Sequence, residues 1–91
     1  MSGCDHARSV LKRYLCPAML EKVPRSPFVA KHYGFSVRVA GPGCWTGSSW
    51  GVYVNTARSP YGPMPCFFTA NRRAAMSVAR ALRFLGCRYE E

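Results

Sequence analysis

Four arginines near the end of the chain share one side of a predicted helix over residues 70–86. On a helical wheel they fall at about 0°, 20°, 80° and 100°, in the order Arg72, Arg83, Arg80 and Arg73. The apolar residues of the segment fall at about 180° to 280°; they are Ala81, Ala74, Leu85, Val78 and Leu82. A guanidinium group stays charged and presents a planar fork of donors that fits phosphate or carboxylate oxygens. The arginine stripe (Arg72, Arg73, Arg80 and Arg83) therefore predicts contact with a polyanion or an acidic protein surface.

The stripe has no neutralising partner within its own segment. Residues 70–86 contain no Asp or Glu, so no i,i+4 ion pair offsets the repulsion between the arginines. An ordinary solvated face is the alternative, and it would suffice for a single arginine. The net charge of +9, from 13 Lys and Arg against 4 Asp and Glu, favours nucleic acid or an acidic surface of a nucleoprotein complex as the partner. The basic residues form no block beside a hydrophobic anchor, so we expect no membrane partner.

The residue types needed for acid–base catalysis are scarce. The chain has only 4 carboxylates, and two of them, Glu90 and Glu91, end the sequence. No nucleophile-elbow, phosphate-loop or zinc-protease motif occurs. A Cys–His nucleophile pair is possible by composition, but nothing in the sequence places a histidine beside a thiol. We therefore expect no enzymatic activity and no cofactor.

The chain has 5 cysteines at wide intervals. The amino terminus lacks a signal-peptide core and no apolar run is long enough to cross a membrane, so we expect a cytoplasmic protein, in the host cytoplasm if it is viral, with reduced thiols. Zinc is an alternative, with ligands drawn from Cys4, His6, Cys16 and His32. No C-x-x-C is present and Cys4-x-His6 is an unusual ligand spacing, so we expect no metal.

The elements that carry these residues predict a single α+β domain over residues 1–91. Residues 5–22 form a helix with a break near Cys16 caused by Pro17. Residues 23–32 read as a linker, residues 33–69 as a three-stranded antiparallel sheet, and residues 70–86 as the last helix. We expect the α-β-β-β-α order to place both helices on one face of the sheet.

Alternation within the strands predicts which side chains the sheet exposes. The buried side comprises Phe35, Val37, Val39, Trp50, Val52 and Val54, and the other side carries Arg38, Tyr53 and Phe67. The third strand, Cys66–Thr69, follows Pro65 and is expected at an edge. Thr69 is expected to cap the last helix. In the loops, Trp45 and Tyr61 are candidates to stack on unpaired bases or to anchor a protein.

The order of elements partly resembles double-stranded-RNA-binding domains. The similarity rests on Gly41-Pro42 between the first two strands, on Trp50-x-Val52-x-Val54, and on Arg72-Arg73-x-Ala75 with Ala79. The chain departs from that family at Cys44, where the family has His, at Met76, where it has Lys, and in the absence of a glutamate-bearing first-helix motif. The β-β-β-α part is also similar to plant-type and phage-integrase DNA-binding domains, which place a three-stranded sheet in the major groove. That likeness implies base contacts from Arg38, Tyr53 and Asn55.

Two hypotheses of function follow. The first is a non-enzymatic module that contacts nucleic acid, or a nucleic-acid-processing complex, through the arginine stripe. The second is a phage-type inhibitor, anti-CRISPR-like or directed at a host nuclease, that docks on an acidic surface of a host machine with Trp45 and Tyr61 as anchors. A homodimer is compatible with either hypothesis, because the predicted edge strand is short and the core is small.

Overall fold

A computed structural model describes residues 3–43, 47–57 and 62–90 of the chain. The described elements, in chain order, are α1 (Gly3–Tyr14), α2 (Pro17–Leu20), α3 (Pro27–Tyr33), β1 (Ser36–Ala40), β2 (Trp50–Asn55), β3 (Met64–Thr69), α4 (Arg72–Phe84) and β4 (Arg88–Glu90). The predicted α+β class is confirmed, and the sheet and the first half of the chain differ from the prediction in detail.

Within the described residues the sheet has four strands rather than the three predicted. Their order is β3-β2-β1-β4; β2 runs antiparallel to both β1 and β3, and β4 runs parallel to β1. The purely antiparallel prediction was wrong because β4 is three residues long and exposed throughout, which leaves no periodic signal in the sequence. The Arg88 amide donates to the Phe35 carbonyl oxygen over 3.0 Å, where the chain leaving α4 returns beside β1.

The hydrophobic core lies between the sheet and α4. Val37, Val52 and Val54 on the sheet are buried, and so are Val78 and Leu82 on α4. α4 packs across β1, β2 and β3, and α1 packs against α4. The two long helices therefore lie on the same face of the sheet, and no helix of the described residues covers its other face.

The predicted first helix is interrupted as its proline indicates. α1 ends at Tyr14, and α2 begins at Pro17 with Cys16 as its N-cap residue. Proline fits the first position of a helix, where its missing N–H has no intrahelical acceptor, but it cannot continue a helix from the preceding turn. The chain therefore ends one helix and starts another at this point.

The predicted linker over residues 23–32 was wrong in its second half, which belongs to α3. The hydroxyl of Ser26 caps α3 by accepting from the Val29 amide over 3.3 Å, and Pro27 occupies the first turn. Gly34, with φ +65°, ends the helix in the left-handed region. Proline is favoured at the first position of a helix, so Pro27 starts α3 instead of extending the linker. The strand predicted from Tyr33 begins only at Ser36, because Tyr33 is the last residue of α3.

A β-bulge in β3 decides which aromatic side chain faces the core. Val52 pairs with Phe67, but Tyr53 pairs with Pro65, so Cys66 is the extra residue. Phe67 therefore packs against the core, with its ring 5.6 Å from that of Tyr14. Its predicted place on the opposite side of the sheet was wrong, since the bulge shifts the alternation by one residue.

Candidate nucleic-acid interface

α4 is held at both ends by contacts that fix its rotation. Its N-cap residue is Asn71, whose Oδ1 accepts from the Arg73 amide over 2.9 Å. Thr69, the predicted cap, accepts from the Asn71 amide over 3.1 Å instead, so the helix begins later than predicted. At the other end Gly86 adopts φ +99° and lies close to Pro27. The chain therefore leaves the helix where it contacts α3.

The buried face of α4 agrees with the predicted one. Its buried residues are Ala75, Val78, Ala79, Ala81 and Leu82, and Leu85 follows them into the core. Of the predicted apolar face, only Ala74 is merely half-buried. All four arginines of the stripe are exposed, on the side of α4 that faces away from the sheet. At 1.5 Å per residue the stripe is about 16 Å long.

Within the part of the chain that the structure describes, two of the four guanidinium groups lie over aromatic rings. The Cζ atom of Arg72 is 5.7 Å from the centre of the Trp50 ring, and that of Arg83 is 5.6 Å from the centre of the Tyr89 ring. Such cation–π contacts restrict the side chain while leaving its donors free for oxygen ligands. Arg72 and Arg83 therefore present pre-positioned charges at the two ends of the stripe.

The electrostatics of α4 are unfavourable for the isolated helix. The first turn contains Arg72 and Arg73 and no acidic residue, so two positive charges stand at the positive end of the helix dipole. Each such placement costs about 0.3–1 kcal/mol when exposed. The positive end of the helix dipole and the two guanidinium groups together form a region of positive potential suited to an anion.

A second group of predicted site residues lies on the face of the sheet that the helices leave uncovered. Arg38 is exposed and pairs with Tyr53, and Asn55 lies two residues further along β2. Phe68, which the alternation of the sequence does not select, is 50% exposed, and its ring is 5.9 Å from that of Tyr53 at an angle of 86°. We call Arg38, Tyr53, Asn55 and Phe68 the open sheet face.

β4 extends this face at its other edge. Arg88 pairs with Ser36 and Glu90 pairs with Arg38, so both side chains point to the same side as the open sheet face. A groove of about 370 Å³ opens there, and its lining includes Ser36, Asn55, Arg88 and Glu90. The surface therefore runs from an aromatic end at β3 to a polar groove beside β4.

The predicted site residues form two surfaces rather than one. The arginine stripe lies on the outer side of α4, whereas Arg38 and Tyr53 lie on the opposite side of the sheet. A single rigid segment of a partner cannot contact both surfaces at once. Trp45 and Tyr61 fall outside the described residues.

Two thiols are buried in the core. Burial, with a smaller contribution from Cys16, raises the pKa of Cys66 to about 11. Burial, with a smaller contribution from Cys66, raises the pKa of Cys87 to about 12. Both thiols are therefore neutral near pH 7 and poor nucleophiles, while Cys16 is exposed.

Within residues 3–43, 47–57 and 62–90, no three His, Cys, Asp or Glu side chains are grouped so that they could hold a metal ion. In the same ranges, no helix has both the length and the apolar character required to cross a membrane.

Comparison with known proteins found no matching family model, no matching curated protein and no matching solved structure. The resemblance to double-stranded-RNA-binding domains therefore rests only on the order of elements and on the few residues quoted for it. Met76, at the position of that family's helix lysine, is half-buried between the arginines of the stripe.

Proposed function

We propose that this chain is a non-enzymatic binding module that contacts the phosphate backbone of nucleic acid through the arginine stripe on α4. The observation that carries the proposal is the exposure of four guanidinium groups on one helix that contains no carboxylate. Arginine–phosphate contacts are charge-assisted and often bidentate. Neutralising phosphates also releases counterions, which supplies much of the affinity of basic proteins for nucleic acid.

The destabilising position of Arg72 and Arg73 supports the same proposal. Charge placed against the helix dipole lowers the stability of the free protein, and an anionic partner at the first turn removes that penalty. A solvated face that served only solubility would gain from acidic residues in this turn, and α4 has none there. The three carboxylates of the described residues, Asp5, Glu21 and Glu90, lie on different elements, which favours binding over acid–base chemistry.

The test compares two charge variants that change the net charge equally. In the first, Arg73→Gln and Arg80→Gln remove the two stripe arginines that make no cation–π contact with a ring of the described residues. In the second, Arg25→Gln and Lys31→Gln remove exposed charges outside α4. Affinity for a labelled mixed-sequence DNA duplex is measured by fluorescence anisotropy. We expect the stripe variant to bind roughly tenfold more weakly, at about 0.7 kcal/mol per contact, and the control to stay within about twofold of the unmodified chain.

Equal losses in the two variants would show that only total charge matters, which contradicts a stripe-specific contact. The inhibitor hypothesis gives a different outcome. A chain that binds no duplex, yet retains one host protein through nuclease treatment and high salt, would contact an acidic protein surface instead.

A further inference from the structure

We infer that the open sheet face is a second interaction surface, which binds single-stranded nucleic acid by stacking an unpaired base on Phe68. This inference shares with the proposed function only the class of partner, because it concerns the opposite side of the molecule and other residues.

Phe68 has the exposure that a stacking platform needs. Half of its surface is accessible, whereas Phe67 beside it is packed against the core. The bulge at Cys66 turns Phe68 outward at the edge strand. The ring of Tyr53 meets it at 86°, an edge-to-face arrangement that fixes the phenyl ring while leaving it exposed. Tyr53 therefore acts as a positioning residue for Phe68.

The charges on the same face fit a phosphate backbone. Arg38 and Arg88 are exposed there, and Glu90 is the carboxylate that faces them among the described residues. Arg38 on β1 and Arg88 on β4 share a sheet face with Phe68 on β3. Such a face offers the two interactions that hold single strands, which are phosphate neutralisation and base stacking. The groove beside β4 would carry the bound single strand past Asn55. The Oδ1 atom of Asn55 accepts from the Thr56 amide over 3.0 Å, which leaves its NH2 group to donate to a base edge.

A second copy of this chain fits the face less well. Two copies meeting sheet to sheet would oppose their own Arg38 and Arg88 side chains, and the chain carries a net charge of +9. Like charges brought together across an interface cost binding energy. The charge complementarity of the face therefore favours an anionic strand as its occupant.

The test uses fluorescein-labelled oligothymidylate of about 12 nucleotides, which does not pair with itself. Phe68→Leu is expected to weaken binding of this strand by about tenfold and to leave binding of a DNA duplex unchanged. Phe28→Leu is the matched control, since Phe28 is 81% exposed on α3, and it is expected to change neither affinity. Arg38→Gln is expected to reduce the salt slope of oligothymidylate binding by about 0.7.

Unchanged oligothymidylate affinity in Phe68→Leu would overturn the inference, as would no binding by the unmodified chain or a dimer that depends on Phe68. If circular dichroism shows that Phe68→Leu is unfolded, Phe68→Trp serves instead. Its added indole emission should be quenched by oligothymidylate, and unquenched emission would contradict stacking. The two proposals can fail separately. If the α4 variants kept full duplex affinity while Phe68→Leu lost affinity for oligothymidylate, the proposed function would be wrong and the binding surface on the sheet would stand.

Discussion

The Cζ atom of Arg72 lies 5.7 Å from the centre of the Trp50 ring, so the first residue of α4 makes a cation–π contact with the first residue of β2. Trp50 pairs with Thr69, the last residue of β3. The contact therefore closes the junction between the sheet and the helix that carries the arginine stripe. It also shows that one residue can serve both the fold and the charged surface.

Replacing Arg72 with lysine separates these two roles. Lysine keeps the charge but replaces the planar guanidinium over Trp50 with a more strongly hydrated ammonium, so we expect Arg72→Lys to lower the free energy of unfolding by about 0.5 kcal/mol. Arg73→Lys is the control, since Arg73 has no ring beneath it among the described residues, and it should leave stability unchanged. Urea titration of both variants measures the difference, and equal stabilities would show that the stacking contributes nothing.

Glutamate at the two ends of α4 should change stability in opposite directions. Arg73→Glu places a negative charge at the positive end of the helix dipole, so we expect a gain of about 0.3–1 kcal/mol. Arg83→Glu reverses the favourable placement in the last turn and removes the Tyr89 contact, so we expect a loss of about 1 kcal/mol. Both variants should bind the DNA duplex more weakly. A variant that gains stability and keeps full affinity would count against Arg73 as a phosphate contact.

Gly86 should tolerate no side chain, because a Cβ atom there would lie 2.7 Å from Cα of Pro27. Its φ of +99° adds backbone strain for any other residue. We expect Gly86→Ala to lower the free energy of unfolding by about 3 kcal/mol. Gly47→Ala is the comparison, since Gly47 also has positive φ but nothing within 4 Å of its Cβ position, and it should cost about 1 kcal/mol. Similar losses at the two sites would mean that α3 moves aside without penalty.

The buried thiols predict a loss of stability at alkaline pH. The pKa of Cys66 is raised to about 11 and that of Cys87 to about 12 by burial, whereas an exposed thiol in the unfolded chain keeps its ordinary pKa of 9.0. The unfolded chain releases these protons first, so stability is full below pH 9 and falls as the pH rises through 9 towards the folded values.

The free energy of unfolding should fall by about 1–2 kcal/mol per thiol between pH 8 and pH 10.5. Urea titrations at the two pH values should show a smaller alkaline loss of stability in a chain with Cys66→Ala and Cys87→Ala, because these substitutions remove the contribution of the two buried thiols. Parallel losses in the two chains would mean that the thiols are hydrated in the folded state.

The sequence predicted α4 well, because thirteen residues of amphipathic pattern determine both the helix and its rotation. The break before Pro17 was predicted because proline cannot continue a helix from the preceding turn. The same interpretation of proline failed at α3, where Pro27 starts a helix. β4 is too short and too polar to be recognised as a strand from its own residues. Its place beside β1 depends on the turn at Gly86, which lies close to Pro27.

The open sheet face was only partly predictable. Alternation identified Arg38 and Tyr53, which lie on regular strands and pair with each other. Alternation placed Phe67 instead of Phe68 on this face. The bulge that reverses their orientations arises from the pairing of β3 with β2, and the sequence of β3 alone does not reveal it. That the stripe and the sheet face are separate surfaces follows from helix–sheet packing, which residue spacing alone does not determine.

The salt dependence of duplex binding decides whether the arginine stripe contacts phosphates. The logarithm of the association constant is measured against the logarithm of salt concentration for the unmodified chain and for a variant with glutamine at Arg72, Arg73, Arg80 and Arg83. If each guanidinium neutralises one phosphate, the slope of the variant should be shallower by about 3 to 4. A slope that stays the same in the folded variant would show that the arginine stripe does not contact nucleic acid.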